Sequence, residues 1–197
     1  MSERSETQRA TPLRDEPAAA EVVASDLVYE GRVWDVRNDT VRYGDGQIVR
    51  QYVDHPGAAA IVAIDDDERV LLIQQYRHPI RLRDWEVPAG LLDVAGEPPI
   101  ETARRELAEE VDLVAERIEP LVSIFTTPGG NDEIVHLFLA RGLSTAPHTF
   151  ERSEEEADIR IEWVPLTEVV DAILAGRMRN GILTAGVLAA AERLRRG

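Results

Sequence analysis

Pro98 and Pro99 are followed by no further proline or glycine until Pro120. Proline sits comfortably in the first turn of a helix and breaks any later turn, so this stretch reads as a helix that begins at the proline pair. Ile100, Ala103, Leu107 and Val111 then recur at helical spacing and make one apolar stripe. Glu106 and Glu110 point nearly the same way, one turn apart, along one edge of that stripe, while Glu109 lies further round towards solvent. Like charges four residues apart cost a helix about 0.2–0.5 kcal/mol, so the pair calls for a reason. One reading is a solvated acidic face balanced by Arg104 and Arg105. The other is half of a site for a hard divalent cation, which takes one or two carboxylates and completes its shell with water and substrate phosphates.

The surroundings favour the second reading. Gly90-x6-Glu97-x7-Arg105-Glu106-Leu107-x-Glu109-Glu110-x-Asp112-Leu113 resembles the Nudix box, G-x5-E-x7-R-E-U-x-E-E-x-G-U with U aliphatic. There are two departures. One extra residue lies between Gly90 and Glu97, lengthening the loop ahead of the helix without moving the carboxylates. Asp112 stands where the pattern has glycine, at a left-handed helix stop that Asp tolerates better than most residues. Arg105 is read as a brace for Glu97 or the preceding loop through a charge-assisted hydrogen bond. Its plainer alternative is a surface pair with Glu101 or Glu109.

The rest of the chain bounds the function. Its 197 residues suit one domain of ordinary size with a small appendage, and 44% apolar content is enough for a core. A formal net charge of −15 argues against a nucleic-acid partner and leaves an anionic substrate dependent on local cations or a metal. With no cysteine, disulfides, thiol nucleophiles and thiolate metal sites are excluded. No apolar run approaches the roughly 20 residues of a membrane span, and the polar N-terminus is unlike a secretory signal. These features predict a cytoplasmic protein.

Residues 1–22 read as a mobile tail with room for an alanine-based helical turn near 17–24. Residues 23–55 alternate as three antiparallel strands around a hairpin signal at Tyr43-Gly44-Asp45-Gly46. A sheet that small cannot stand alone and must pack on the main domain or on another subunit. In it, Trp34 is either an aromatic anchor or a stacking platform for a base, and Arg50 either a surface charge or a phosphate and adenine contact. Residues 56–197 form the main domain. Ala58–Ile64 is a strand buried on both faces by its composition, and Val70–Tyr76 returns beside it. Arg77, His78, Arg81 and Arg83 then form a basic loop, and residues 85–90 a short strand entering the motif. Glu86 on that strand either accepts from a ribose or base, or pairs with the basic loop. Beyond the motif helix, strands are read at 115–125, 134–139 and 159–164, with irregular chain at 142–150. An acidic loop follows at 151–158, and the chain closes with helices at 166–175 and 180–195.

The Nudix resemblance, from about Gly57 onward, implies an α/β fold: a mixed sheet in an α/β/α sandwich, here with a small N-terminal antiparallel β-sheet. That added sheet, and Pro128 placed fifteen residues after Leu113, resemble the ADP-ribose pyrophosphatase subgroup, in which N-terminal sheets exchange between the subunits of a homodimer. The resemblance implies Mg2+ (or Mn2+) held by Glu106, Glu110 and the main-chain carbonyl of Ala89, with Glu109 as a further carboxylate. It places adenine between Trp34 and Arg50, phosphate on Arg77 and the nucleoside on Glu86. Glu156, or Glu155, from the acidic loop acts on the attacking water, with Glu110 also counted in the catalytic set. The expected reaction is hydrolysis of ADP-ribose to AMP and ribose 5-phosphate. Alternatives are another nucleoside diphosphate sugar or an oxidised nucleotide as substrate, a non-hydrolysing ADP-ribose sensor, and an acidic interaction protein with no catalysis.

Overall fold

The computed structural model describes residues 12–148 and 158–197. Strands β1 (Val22–Tyr29), β2 (Asp35–Tyr43) and β3 (Gly46–Asp54) form an antiparallel sheet in that order. The hairpin signal holds: Tyr43 pairs Gly46, and Gly44 takes φ 58°, which its missing Cβ permits. The alanine-based turn near 17–24 does not form. Val22 and Val23 are β-branched and join β1 instead, with Val22 opposite Val41.

The main domain is built on β4 (Ala58–Ala63), every residue of which is buried. Its side chains alternate between two cores. Ala59, Ile61 and Ala63 pack with Ala103, Leu107 and Val111 of helix α1 (Pro99–Val111). Ala60 and Val62, together with Ile64, pack with Val169 of α2 (Leu166–Leu174) and with Leu183, Val187 and Ala190 of α3 (Gly181–Arg196). Helices therefore cover both faces, which is the α/β/α sandwich. Packing on the second face is tight: a Cβ at Gly186 of α3 would lie 2.6 Å from Leu137 and 2.8 Å from Val62.

β5 (Arg69–Arg77) is flanked by β6 (Leu82–Glu86) and β10 (Arg160–Pro165), all antiparallel. In the other sheet of this domain, the order is β7 (Ala89–Leu91), β4, β9 (Ile134–Thr145), β8 (Leu113–Phe125), with β4 and β9 parallel. Two strand readings need correction. The single strand at 85–90 is two strands, β6 on β5 and β7 on β4, because Pro88 has no N–H to continue a ladder. Residues 142–145 are not irregular but extend β9, pairing with the start of β8, where Leu143 faces Ala115. Gly142 at φ 68° interrupts the alternation there and hides the strand.

Helix α1 starts and stops as its sequence directs. Pro98 is the N-cap and Pro99 the first helical residue. Asp112 takes the left-handed stop at φ 55°, ψ 36° and donates its N–H back to the Ala108 carbonyl.

Candidate active site

The register of β4 against β7 sets the main-chain stretch Ala89–Leu91 alongside α1, and one cleft of about 530 Å³ opens where they meet. Glu106 and Glu110 line it from the helix, and Gln75, Arg77 and Glu86 from β5 and β6. Helix periodicity thus brings the two glutamates to one wall, as the sequence indicated. Glu110 is 4% exposed, and its Oε2 accepts the Ala89 N–H at 3.0 Å. Glu106 crosses the face of Gly90 so closely that a Cβ there would stand 2.0 Å from Oε1. Only glycine leaves that space, which gives the first residue of the motif a steric reason.

Arg105 serves both of the roles open to it. Its Nη1 donates to Glu106 Oε1 at 2.6 Å and to Glu109 Oε2 at 3.0 Å, while Nη2 reaches Glu97 Oε2 at 3.4 Å. Glu101 pairs with Arg104 instead. Thr102, fully buried, donates its hydroxyl to Glu97 Oε2 at 2.8 Å. That hydrogen bond, and then the one from Arg105, hold the Glu97 carboxyl below its ordinary pKa.

In the same cleft, Glu86 is 7% exposed and is gripped by Arg77 through two bonds of 2.7 Å, from Nε and Nη2. Glu86 therefore makes the salt bridge that was one of its two readings. The basic loop disperses: Arg77 lines the cleft, Arg83 pairs with Asp158, and His78 meets Tyr76 Oη at 3.2 Å. Of the N-terminal residues, Val33 lines the cleft within one chain. Trp34 is half exposed and tilts against Tyr29, ring centroids 6.5 Å apart, and Arg50 is exposed with Nη1 on the Val49 carbonyl at 2.9 Å. Glu155 and Glu156 lie outside the described residues.

Several lining residues carry no local motif. Glu133 lines the cleft, held by the Thr126 hydroxyl at 2.5 Å, with His55 Nδ1 3.7 Å from its other oxygen. Asn180 caps α3, accepting from Leu183 N at 2.9 Å, and donates to Asp84 at 3.0 Å. The cap was legible, but its position on the cleft depends on how α3 packs. Asp93 and Glu133 join Glu86, Glu106 and Glu110 against Arg77 and Arg105, so the cleft wall is acidic overall. Among the described residues no three carboxylates or histidines gather closely enough to hold a metal unaided. Glu106 and Glu110 offer the one or two carboxylates that Mg2+ takes along with water and substrate phosphate, and the acidic wall disfavours a bare anion.

A NUDIX domain model matches residues 54–184. The chain belongs to the Nudix family. It is 46% identical over 170 residues to an ADP-ribose pyrophosphatase of Mycobacterium tuberculosis, covering 86% of this chain and 82% of that protein. It is 39% identical over 135 residues to a methanol dehydrogenase activator of Bacillus methanolicus, covering 68% of this chain and 72% of that one. The crystal structure of an ADP compounds hydrolase shares the fold, with TM-score 0.75 at 20% identity over 93% of this chain and 98% of the other. In this Nudix chain the extra residue before Glu97 and the Asp112 substitution leave the carboxylate run intact, since α1 begins after the first and ends at the second. Among the described residues no helix is long and apolar enough to cross a membrane.

Proposed function

We propose that this Nudix hydrolase cleaves the diphosphate of ADP-ribose, giving AMP and ribose 5-phosphate, with Mg2+ as cofactor and Mn2+ as a substitute. One observation carries the reading. Glu110, buried, and Glu106, partly buried, stand a helical turn apart in one cleft that the Arg77–Glu86 pair also lines. The similarity to a named ADP-ribose pyrophosphatase over most of both chains supports the choice of substrate.

In this reading Glu106, Glu110 and the Ala89 carbonyl hold the metal, with Glu109 as a further carboxylate. When bound, the cation neutralises phosphate charge and lowers the pKa of an attacking water. Arg77 sets its planar fork of donors against phosphate oxygens, and Glu86 accepts from the nucleoside. Glu156, or Glu155, takes the proton as water attacks one phosphorus and the bond to the bridging oxygen breaks. Arg105 fixes the rotamers of Glu106 and Glu109, so the carboxylates need little reorganisation.

The same reading divides the chain into a tail at 1–22, an exchanged sheet at 23–55 and the Nudix domain at 56–197, and makes the protein a cytoplasmic homodimer. Every residue of β1 is exposed, including Leu27 at 50% and Val28 at 59%. An apolar strand of that kind seeks a partner surface. The sheet's backbone ties to its own main domain lie at the end of β3, where Val53 bonds Gly130 and Asp132. Trp34 and Arg50 would then meet adenine in the partner's cleft. The test is a panel of nucleotide sugars with Mg2+, scored for AMP. Release from ADP-ribose ahead of the others is the expected result, and no AMP with either Mg2+ or Mn2+ overturns it.

A further inference from the structure

Gln75 is 4% exposed and lines the cleft beside Arg77 and Glu86. It lies two residues before Arg77 on β5, so strand alternation puts both on the same face. Its Nε2 is 3.4 Å from Glu86 Oε2. A carboxylate paired with arginine only accepts, so the NH2 end of the amide faces Glu86 and the carbonyl end points elsewhere. Among the described residues no group donates to that oxygen. Nor is it sealed in the protein: the enclosed side-chain atoms without a partner are Asp39 Oδ1, Arg105 Nε and Arg141 Nη1. The Gln75 Oε1 therefore opens onto the cleft. An amide oxygen facing a cleft bonds water in the free protein and can exchange that water for a donor on a ligand.

We propose that Gln75 is a further substrate-binding residue whose Oε1 accepts a hydrogen bond from a ribose hydroxyl next to the diphosphate. The proposal rests on the hydrolase reading above. Ionised phosphate oxygens carry no proton to donate and would be repelled by Oε1; they belong on Arg77. A hydroxyl is the nearest donor that a ribosyl diphosphate offers.

The test compares wild type with Gln75→Met, close in shape but without the amide, and with Gln75→Asn, which keeps a shortened amide. Substrates are ADP-ribose, its 2′,3′-dideoxyadenosine analogue, and an alkyl ester of ADP without hydroxyls on the distal group. Gln75→Met should lower kcat/KM on ADP-ribose about tenfold, the worth of one such hydrogen bond. The loss should vanish for whichever analogue lacks the hydroxyl that Gln75 reads. Equal loss on all three would mean that Gln75 only steadies Glu86, and no loss on any would mean that it contacts nothing; either overturns the proposal. Should wild type fail to turn over ADP-ribose, the hydrolase reading itself falls. Calorimetric binding of the same three compounds to wild type and variants then decides Gln75 separately.

Discussion

Ala89 donates its main-chain N–H to Glu110 Oε2 at 3.0 Å, across 21 residues of sequence. The strand that enters the motif and the helix that follows it are thus pinned together at a carboxylate that also faces the cleft. Glu110→Gln keeps an oxygen for that bond but loses the charge. The variant should stay folded while kcat falls a hundredfold or more, on the order of the loss of a key electrostatic group. Unchanged turnover would remove Glu110 from the mechanism.

Gly90→Ala perturbs the site in a different way. The new methyl would lie 2.0 Å from Glu106 Oε1 and 2.6 Å from Cγ, atoms of a side chain that can swing aside. Swinging it aside breaks its bond to Arg105, so thermal stability should fall, by about 1–3 kcal/mol. The displaced Glu106 should raise the Mg2+ concentration needed for half-maximal activity and weaken Mn2+ binding measured by calorimetry. Wild-type metal affinity in this variant would mean that Glu106 is not a ligand.

Arg77→Ala leaves Glu86 buried without its forked partner. The cost should be about 1–3 kcal/mol, tempered by the partial exposure of Arg77. Adding Glu86→Gln to it should recover part of the lost stability, because the stranded charge is gone. Denaturant midpoints of the two single variants and the double variant form the cycle that checks this. Strict additivity would mean that the pair does not couple.

The Glu97 carboxyl is held below its ordinary pKa first by Thr102 and then by Arg105. A depressed folded pKa contributes stability above the ordinary carboxylate range, and that contribution is lost as pH falls through the folded value. Thr102→Val removes the first of these hydrogen bonds at nearly constant volume. The variant should melt below wild type at neutral pH, and the gap should narrow as pH falls beneath the ordinary carboxylate range and Glu97 protonates in both. A gap of constant size across that range would assign the loss to packing alone.

Leu27 and Val28 are about half exposed in a strand with no covering layer among the described residues. Sedimentation should give twice the chain mass, and Leu27→Glu with Val28→Glu should shift it to the monomer. Activity should fall with dimer content if Trp34 and Arg50 act from an exchanged sheet, as proposed. A monomeric wild type with full activity would overturn the exchange.

Local chemistry wrote much of this protein plainly. The proline pair, the apolar stripe and the Asp112 stop delimit α1 within the chain itself, because capping and periodicity act over one or two turns. A glutamate pair at i,i+4 must share a helix face wherever that helix packs. The hairpin at Tyr43–Gly46 and the two-faced burial of β4 are legible for the same reason: both follow from backbone sterics and strand alternation. Gln75 could have been read too, since Arg77 two residues on already marked that face of the strand.

What only the tertiary structure decided are the partnerships between distant segments. That Glu86 would meet Arg77, where Arg83 would turn, and that His55, Glu133 and Asn180 would reach one cleft depend on how strands and helices pack. The glycine at 142 and the proline at 88 concealed strand limits that pairing across the sheet resolves. Sequence settles which faces exist because side-chain direction repeats with the backbone. It leaves open which faces meet, because that choice is made by burial summed over the whole domain.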